Sequence, residues 1–181
     1  MKNIQQQLEK LRALDSNESI FGSNTHHYQL NPTLSQNEIE HFEQQHNIVL
    51  PKDYKDFLLT IGNGGAGPNY GLFKLNEFFT GRHYGSDINI PDTFLSTPFP
   101  FSQKRPYFYT DESDETLVKE LFGSITLSHE GCGYYNMLIV TGDAAGTVWI
   151  DACCSDGGMH LIFDNFTDWY LNWLERSIAE L

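Results

Sequence analysis

Long apolar runs are missing from this 181-residue chain, and so is positive charge. No hydrophobic stretch approaches the roughly 18 residues that a membrane span needs, and Met1 to Leu14 is too polar for a secretory leader. A soluble, cytoplasmic protein is the expectation. Lys and Arg number 11 against 24 Asp and Glu, a net charge of -13. Such a balance opposes nucleic acid and anionic membranes, whose binding depends on Lys and Arg neutralising phosphates. There are only three cysteines, Cys132, Cys153 and Cys154. The number is odd, and neighbouring strand residues point to opposite faces, so a framework of bridges is not expected. The chain also lacks a C-x-x-C pair, a G-x-S-x-G elbow and a G-K-[ST] phosphate loop.

What is present suits a globular domain. Hydrophobic residues make up 40% of the chain and aromatics 14%, enough for a core that removes roughly two thirds of the unfolded surface from water. The charge is uneven: residues 1–90 carry net -3 and residues 91–181 net -10. A basic protein is the natural complement of that second half, although the same charge also serves simple solubility.

The stretch Leu50 to Gly67 reads as a helix with both ends specified. Pro51 suits the opening, because its φ is fixed near the helical value and it has no amide to leave unpaired. Asp53 meets the positive end of the helix dipole. Tyr54, Phe57, Leu58 and Ile61 fall on one face. Gly62, Asn63, Gly64 and Gly65 then stop the helix ahead of the strand-like Tyr70 to Leu75. Gly62 to Gly67 fits the letters G-x-G-x-x-G, but it follows a helix and leads into a strand. The dipole end it meets is therefore negative, the reverse of a dinucleotide site.

Elsewhere, Ile4, Leu8, Leu11 and Leu14 have helical spacing, and the polar run Asp15 to Asn31 reads as a connector in which His26 and His27 are solvated. Ser35 and Glu38 form a capping box ahead of a helix that turns Ile39, Phe42 and His46 inward. Residues 76–106 read as a long loop or partial strand structure, and Leu117, Val118, Leu121 and Phe122 as one helical face. From Gly123 the runs SITLSHE, YNMLIVTGD, GTVWIDAC and MHLIFD, joined by short glycine-bearing links, read as an antiparallel meander. Asn165 or Thr167 caps a last helix with Phe166, Trp169, Trp173, Leu174 and Ile178 as its apolar stripe, and Trp149 and Trp173 are expected in the core.

The fold these elements specify is α+β, a mainly antiparallel sheet with helices packed on it. The division expected is residues 1–34, an N-terminal helix and connector, and 35–181, the main domain, in one compact unit. The leucine-proline opening, the Tyr and Phe-Leu face and the glycine stop resemble the signature of the SUKH superfamily. So do the strand, the GCG turn, the strand ending in Thr-Gly, the GTVW strand and the Phe and Trp opening of the last helix. This resemblance covers roughly residues 35–178, without alignment over 76–122. It implies an immunity protein that neutralises a cognate bacterial toxin by stoichiometric binding, with neither catalysis nor a cofactor; the partner would be a toxin protein, in keeping with the charge a basic one such as a nuclease. Fungal members imply an alternative, a regulatory interaction module without a toxin. Recognition surfaces in the superfamily vary with the partner, so no binding residue is carried over.

A third class, a small thiol or metal-dependent enzyme, rests on His129, Cys132, Cys153, Cys154 and His160, and on His129-Glu130 near Cys132 as a base beside a nucleophile. The partner-binding candidates are Asp111, Glu112, Asp114 and Glu115 with Tyr107 and Tyr109 just before them. Aromatic anchors beside charge of one sign suit an interface, because rings supply buried area while charges steer the approach.

Overall fold

The computed structural model describes residues 1–79, 90–105 and 114–181, with the backbone alone at Lys2, Asp114 and Glu115. Among these residues six helices accompany a four-stranded antiparallel sheet, an α+β fold. None of the helices is long and apolar enough to cross a membrane.

The sheet is the meander that the glycine-bearing links specify: β1 (Ser124–Gly131), β2 (Tyr134–Ile139), β3 (Val148–Ala152) and β4 (Gly158–Phe163), in spatial order β1-β2-β3-β4. Cys132 and Gly133 form the two-residue link between β1 and β2, and both have positive φ (51° and 86°), the backbone of a tight hairpin turn. Both edges of the sheet take up backbone from outside it. Leu72 bridges to Ser128, and the Phe73 amide donates to the Leu127 carbonyl at 2.9 Å, which covers β1. Arg105 and Met159 exchange backbone hydrogen bonds of 2.8 and 3.0 Å, which covers β4. Pairing both edges removes the templates for intermolecular strand addition. The strand expected over Tyr70 to Leu75 is thus reduced to a single bridging residue, Leu72, held between Gly65 and Ser128.

Helices α1 (Lys2–Leu14), α3 (Gln36–His46) and α4 (Lys52–Thr60) follow the apolar spacing, and the short α2 (Ser23–His26) lies within the connector. In α1 the residues Ile4, Leu8 and Leu11 are buried against α6, whereas Leu14 is exposed, because the helix ends there. The capping box of α3 is formed: Ser35 Oγ accepts from the Glu38 amide, and the Glu38 carboxylate accepts from the Ser35 amide. Pro51 takes the capping position one residue before α4, not the first helical turn. Asp53 does more than meet its own dipole, since its Oδ2 accepts from the Thr167 amide at 2.9 Å and so caps the first turn of α6 (Phe166–Glu180).

The glycine loop after α4 is a junction. Gly64 and Gly65 have φ of 80° and 98°, and a Cβ at Gly64 would lie 2.7 Å from the Phe73 carbonyl. The glycines are there because neighbouring backbone passes too close for any side chain. The Asn31 amide donates to Gly64 and the Ala66 amide to Gln29, while Asn63 Oδ1 accepts from the Leu75 amide.

Aromatic rings fill the space between α4 and α6. Phe166 packs on Tyr54, Phe57 and Tyr170 with centroids 4.9, 5.0 and 5.9 Å away, distances at which edge and offset contacts add to area burial. Tyr170, absent from the expected stripe, is fully buried and donates its hydroxyl to the Ala66 carbonyl at 2.8 Å. Trp169 is buried too, and its Nε1 donates to Asn136 Oδ1 on β2 at 3.0 Å. Asn136 pairs with Ile150, so Trp149, one step along, faces the other way. That second face is covered by the segment 90–105 through Phe99, whose ring is 5.0 Å from Trp149. Trp149 is a core residue, 1% exposed; Trp173 is not, being half-buried at the edge of the core. With α1 and α4 on two sides and the sheet on a third, α6 presents residues all round, and Trp173 falls in the gap that is left.

Candidate functional site

The acidic segment lies between two fixed ends. Tyr107, Tyr109, Asp111 and Glu112 lie outside the described residues, while Asp114 and Glu115 open the helix α5 (Asp114–Glu120) and their side chains are likewise outside them. Before the segment, Arg105 is tied to the β4 edge through its backbone. After it, Val118 and Leu121 are buried. Arg105 joins the two ends: its Nε and Nη2 donate to Glu120 Oε1 at 3.0 and 2.8 Å, with both side chains largely shielded from solvent. A charge-assisted pair of this kind is stronger than a neutral hydrogen bond, and deleting one partner would strand the other charge in a poorly hydrated position.

A second surface emerges only in the folded molecule. Between α6 and the sheet face that carries Asn136 lies a cleft of about 480 Å³, lined by Trp169, Trp173 and Arg176 on one side and Ile150, Ile162 and Glu130 on the other. Asn136 fixes its floor, donating through Nδ2 to Glu130 Oε1 while accepting from Trp169. At the rim are two exposed rings, Phe21 (57% exposed) and Tyr70 (40%), with centroids 5.1 Å apart. The row leaves the cleft there: Tyr70 stacks on His129 at 5.9 Å, and His129 on Tyr135 at 4.8 Å, on the sheet face opposite to Asn136. The cause is a close backbone approach, since a Cβ at Gly22 would collide with the Asn69 carbonyl. Sequence reasoning missed this surface. Phe21 stands alone in a polar run, so no period marks it, and the glycine beside it was the only signal.

Residues proposed for metal binding, or as a thiol beside a histidine base, do not converge. His129 is taken up in the ring stack, Cys132 is exposed in the β1–β2 turn, and His160 sits on β4 opposite Ile150. Cys153 is half-buried, and its thiol is pushed up to about 12, chiefly by burial and then by the neighbouring Asp151 carboxylate. That favours the unreactive thiol form. Among the described residues no three His, Cys, Asp or Glu side chains are placed to hold a metal ion. The two neighbouring histidines of the connector have different fates. His27 Nδ1 contacts Glu18 Oε1 at 2.7 Å at the surface. His26 is buried, contrary to the expectation of a solvated pair. Its Nδ1 accepts from the Tyr28 amide, and its ring lies edge-on to Trp173 at 5.9 Å.

Comparison with known proteins gives one match. Residues 33–172 fit the model of the SMI1 / KNR4 family (SUKH-1). No curated protein and no solved structure matches the chain.

Proposed function

Because the chain belongs to the SMI1 / KNR4 family (SUKH-1), we propose that it is a cytoplasmic immunity protein that neutralises a cognate toxin by binding it in a one-to-one complex. It acts by occupation, not catalysis. The observation that carries this reading is the charge: residues 91–181 hold net -10 against -3 in the first half. The partner is therefore a basic protein such as a nuclease, and an acidic surface fills its cleft in place of substrate phosphates.

The binding segment in this proposal is Asp111, Glu112, Asp114 and Glu115, with Tyr107 and Tyr109 as anchors. Its support is the fixed frame on either side, Arg105 with Glu120 and the buried Val118 and Leu121. A frame tied at both ends lowers the ordering cost of binding. The exposed Phe21 and Tyr70 favour a second reading, in which the same partner seats on the cleft rim through aromatic anchors.

Co-purification from the native host tests the function. The expected product is a one-to-one complex whose partner arrests growth when expressed alone and is silenced by the chain. A partner that is harmless alone would overturn immunity and support the regulatory module. Stopped-flow association then separates the surfaces. Reversing Asp111, Glu112, Asp114 and Glu115 to Lys should slow association roughly tenfold or more at low salt, with the difference shrinking as salt is added. An unchanged on-rate, together with faster dissociation of a Phe21→Ala and Tyr70→Ala variant, would move the contact to the cleft.

A further inference from the structure

Two of the three thiols lie on neighbouring turns at one end of the sheet, Cys132 between β1 and β2 and Cys154 between β3 and β4. In β2 and β3, Tyr135 pairs with Asp151, Asn136 with Ile150, Met137 with Trp149 and Leu138 with Val148. Each step back along β2 is one step forward along β3. The last pair, Tyr135 with Asp151, leaves the β1–β2 turn and the β3–β4 turn side by side at one end of the sheet, with Cys132 in the first and Cys154 in the second.

Packing at the two turns agrees. A Cβ at Gly133 would lie 2.8 Å from Cys154 Cβ and 3.3 Å from its Sγ, so the Cys154 side chain rests directly on the residue next to Cys132. Only glycine leaves it that room. Cys132 and Cys154 are both exposed and both free, and the Cys154 thiol is pushed up by partial burial, by Asp151 and, to a lesser extent, by Cys132, which leaves Cys132 as the attacking group. Cys153 belongs to neither side of this arrangement. It packs against the core, is half-buried, and is held in the thiol form by burial and Asp151.

We propose that Cys132 and Cys154 are a redox modification site, forming a reversible disulfide that staples the β1–β2 turn to the β3–β4 turn. The oxidant class is a peroxide. The Cys132 thiolate attacks one peroxide oxygen, the O–O bond breaks, and the departing hydroxide takes up a proton to give one water and a sulfenic acid. Cys154 loses its proton, its sulfur displaces hydroxide from the Cys132 sulfur, and a second water forms with the S–S bond. Two thiols are oxidised by two electrons and one peroxide is reduced to two waters. A dithiol reductant reverses the step. The site is independent of toxin binding.

The test is treatment of the full chain with equimolar hydrogen peroxide, followed by alkylation and non-reducing peptide mapping. The expected result is one intramolecular link between Cys132 and Cys154, formed at a rate independent of protein concentration. It should persist in Cys153→Ser and vanish in Cys132→Ser and Cys154→Ser, whose exposed positions leave the fold intact. The thermal midpoint should rise by several degrees and return on adding dithiothreitol. A link that includes Cys153, a disulfide-bonded dimer, three thiols still titrating after oxidation, or an unchanged midpoint would each overturn the proposal.

Discussion

Residues 15–28 and the α4–α6 packing are held together by opposite means. Between α4 and α6 the contacts are rings: Tyr54, Phe57, Phe166 and Tyr170 lie within a few ångströms of one another and exclude water. In the connector the organising group is a carboxylate. Asp15, 3% exposed, accepts from the Ser19 amide and hydroxyl, the Ile20 amide and the Tyr28 hydroxyl at 2.6–3.0 Å. Burial by itself would raise its pKa, but the four hydrogen bonds outweigh that and hold it well below the usual carboxylate range. The comparison teaches that a polar run without apolar period can still be a fixed structure when one buried acceptor gathers its donors.

The sharpest way to break the contrast is to cut each region at its centre. Trp169→Ala should cost about 3–5 kcal/mol, the range for large buried truncations, and should also leave Asn136 without its indole donor. Trp173→Ala, at the half-buried edge, should cost less, about 1–2 kcal/mol. Denaturant unfolding of both variants checks the order, and equal losses would put Trp173 back in the core.

Asp15→Ala is the matching cut in the connector. It should destabilise by about 2–3 kcal/mol, because buried donors lose their acceptor. Asp15→Asn should fall short of that, since an amide oxygen still accepts. Hydrogen exchange should show the loss concentrated in residues 15–28 and not in the sheet. A uniform loss would mean that the two regions are one cooperative unit.

A pH titration separates them in another way. His26 has its pKa lowered from 6.5 to about 4, mainly by burial and then by the neighbouring His27. The unfolded chain therefore takes a proton before the folded one does. Stability supplied by the neutral ring is complete above pH 6.5 and is lost as pH falls toward 4. Asp15 loses its contribution only at lower pH, below its unfolded value of 3.8. The thermal midpoint should thus fall in two steps, and His26→Gln should remove the upper one.

The smallest effect concerns a feature common to neither region. Ser35→Ala removes the α3 cap and should cost about 1 kcal/mol. Replacement by Asp, which also caps, should restore most of it in the same unfolding assay.

Local signals were legible where one residue's neighbours in sequence are also its partners. Ser35 and Glu38, the apolar face of α4, the Cys132-Gly133 turn and Asn165, which caps α6 by accepting from the Asp168 amide, all act within a few residues. Tyr170, His26 and Phe21 were not legible. Each owes its place to a distant part of the chain: the Ala66 carbonyl for Tyr170, the Trp173 ring for His26, and the Asn69 approach for Phe21 and Tyr70.

By itself, then, the sequence determined the helices with their caps, the four strands in their order, and the acidic charge, because period, turn chemistry and net charge are properties of short stretches or of simple sums. The tertiary structure alone decided which of two histidines is buried, that Trp169 and Trp173 line a cleft, and that the Cys154 side chain rests on the Cys132-Gly133 turn. Those outcomes depend on the register and close approach of segments far apart in the chain, and no local preference encodes them.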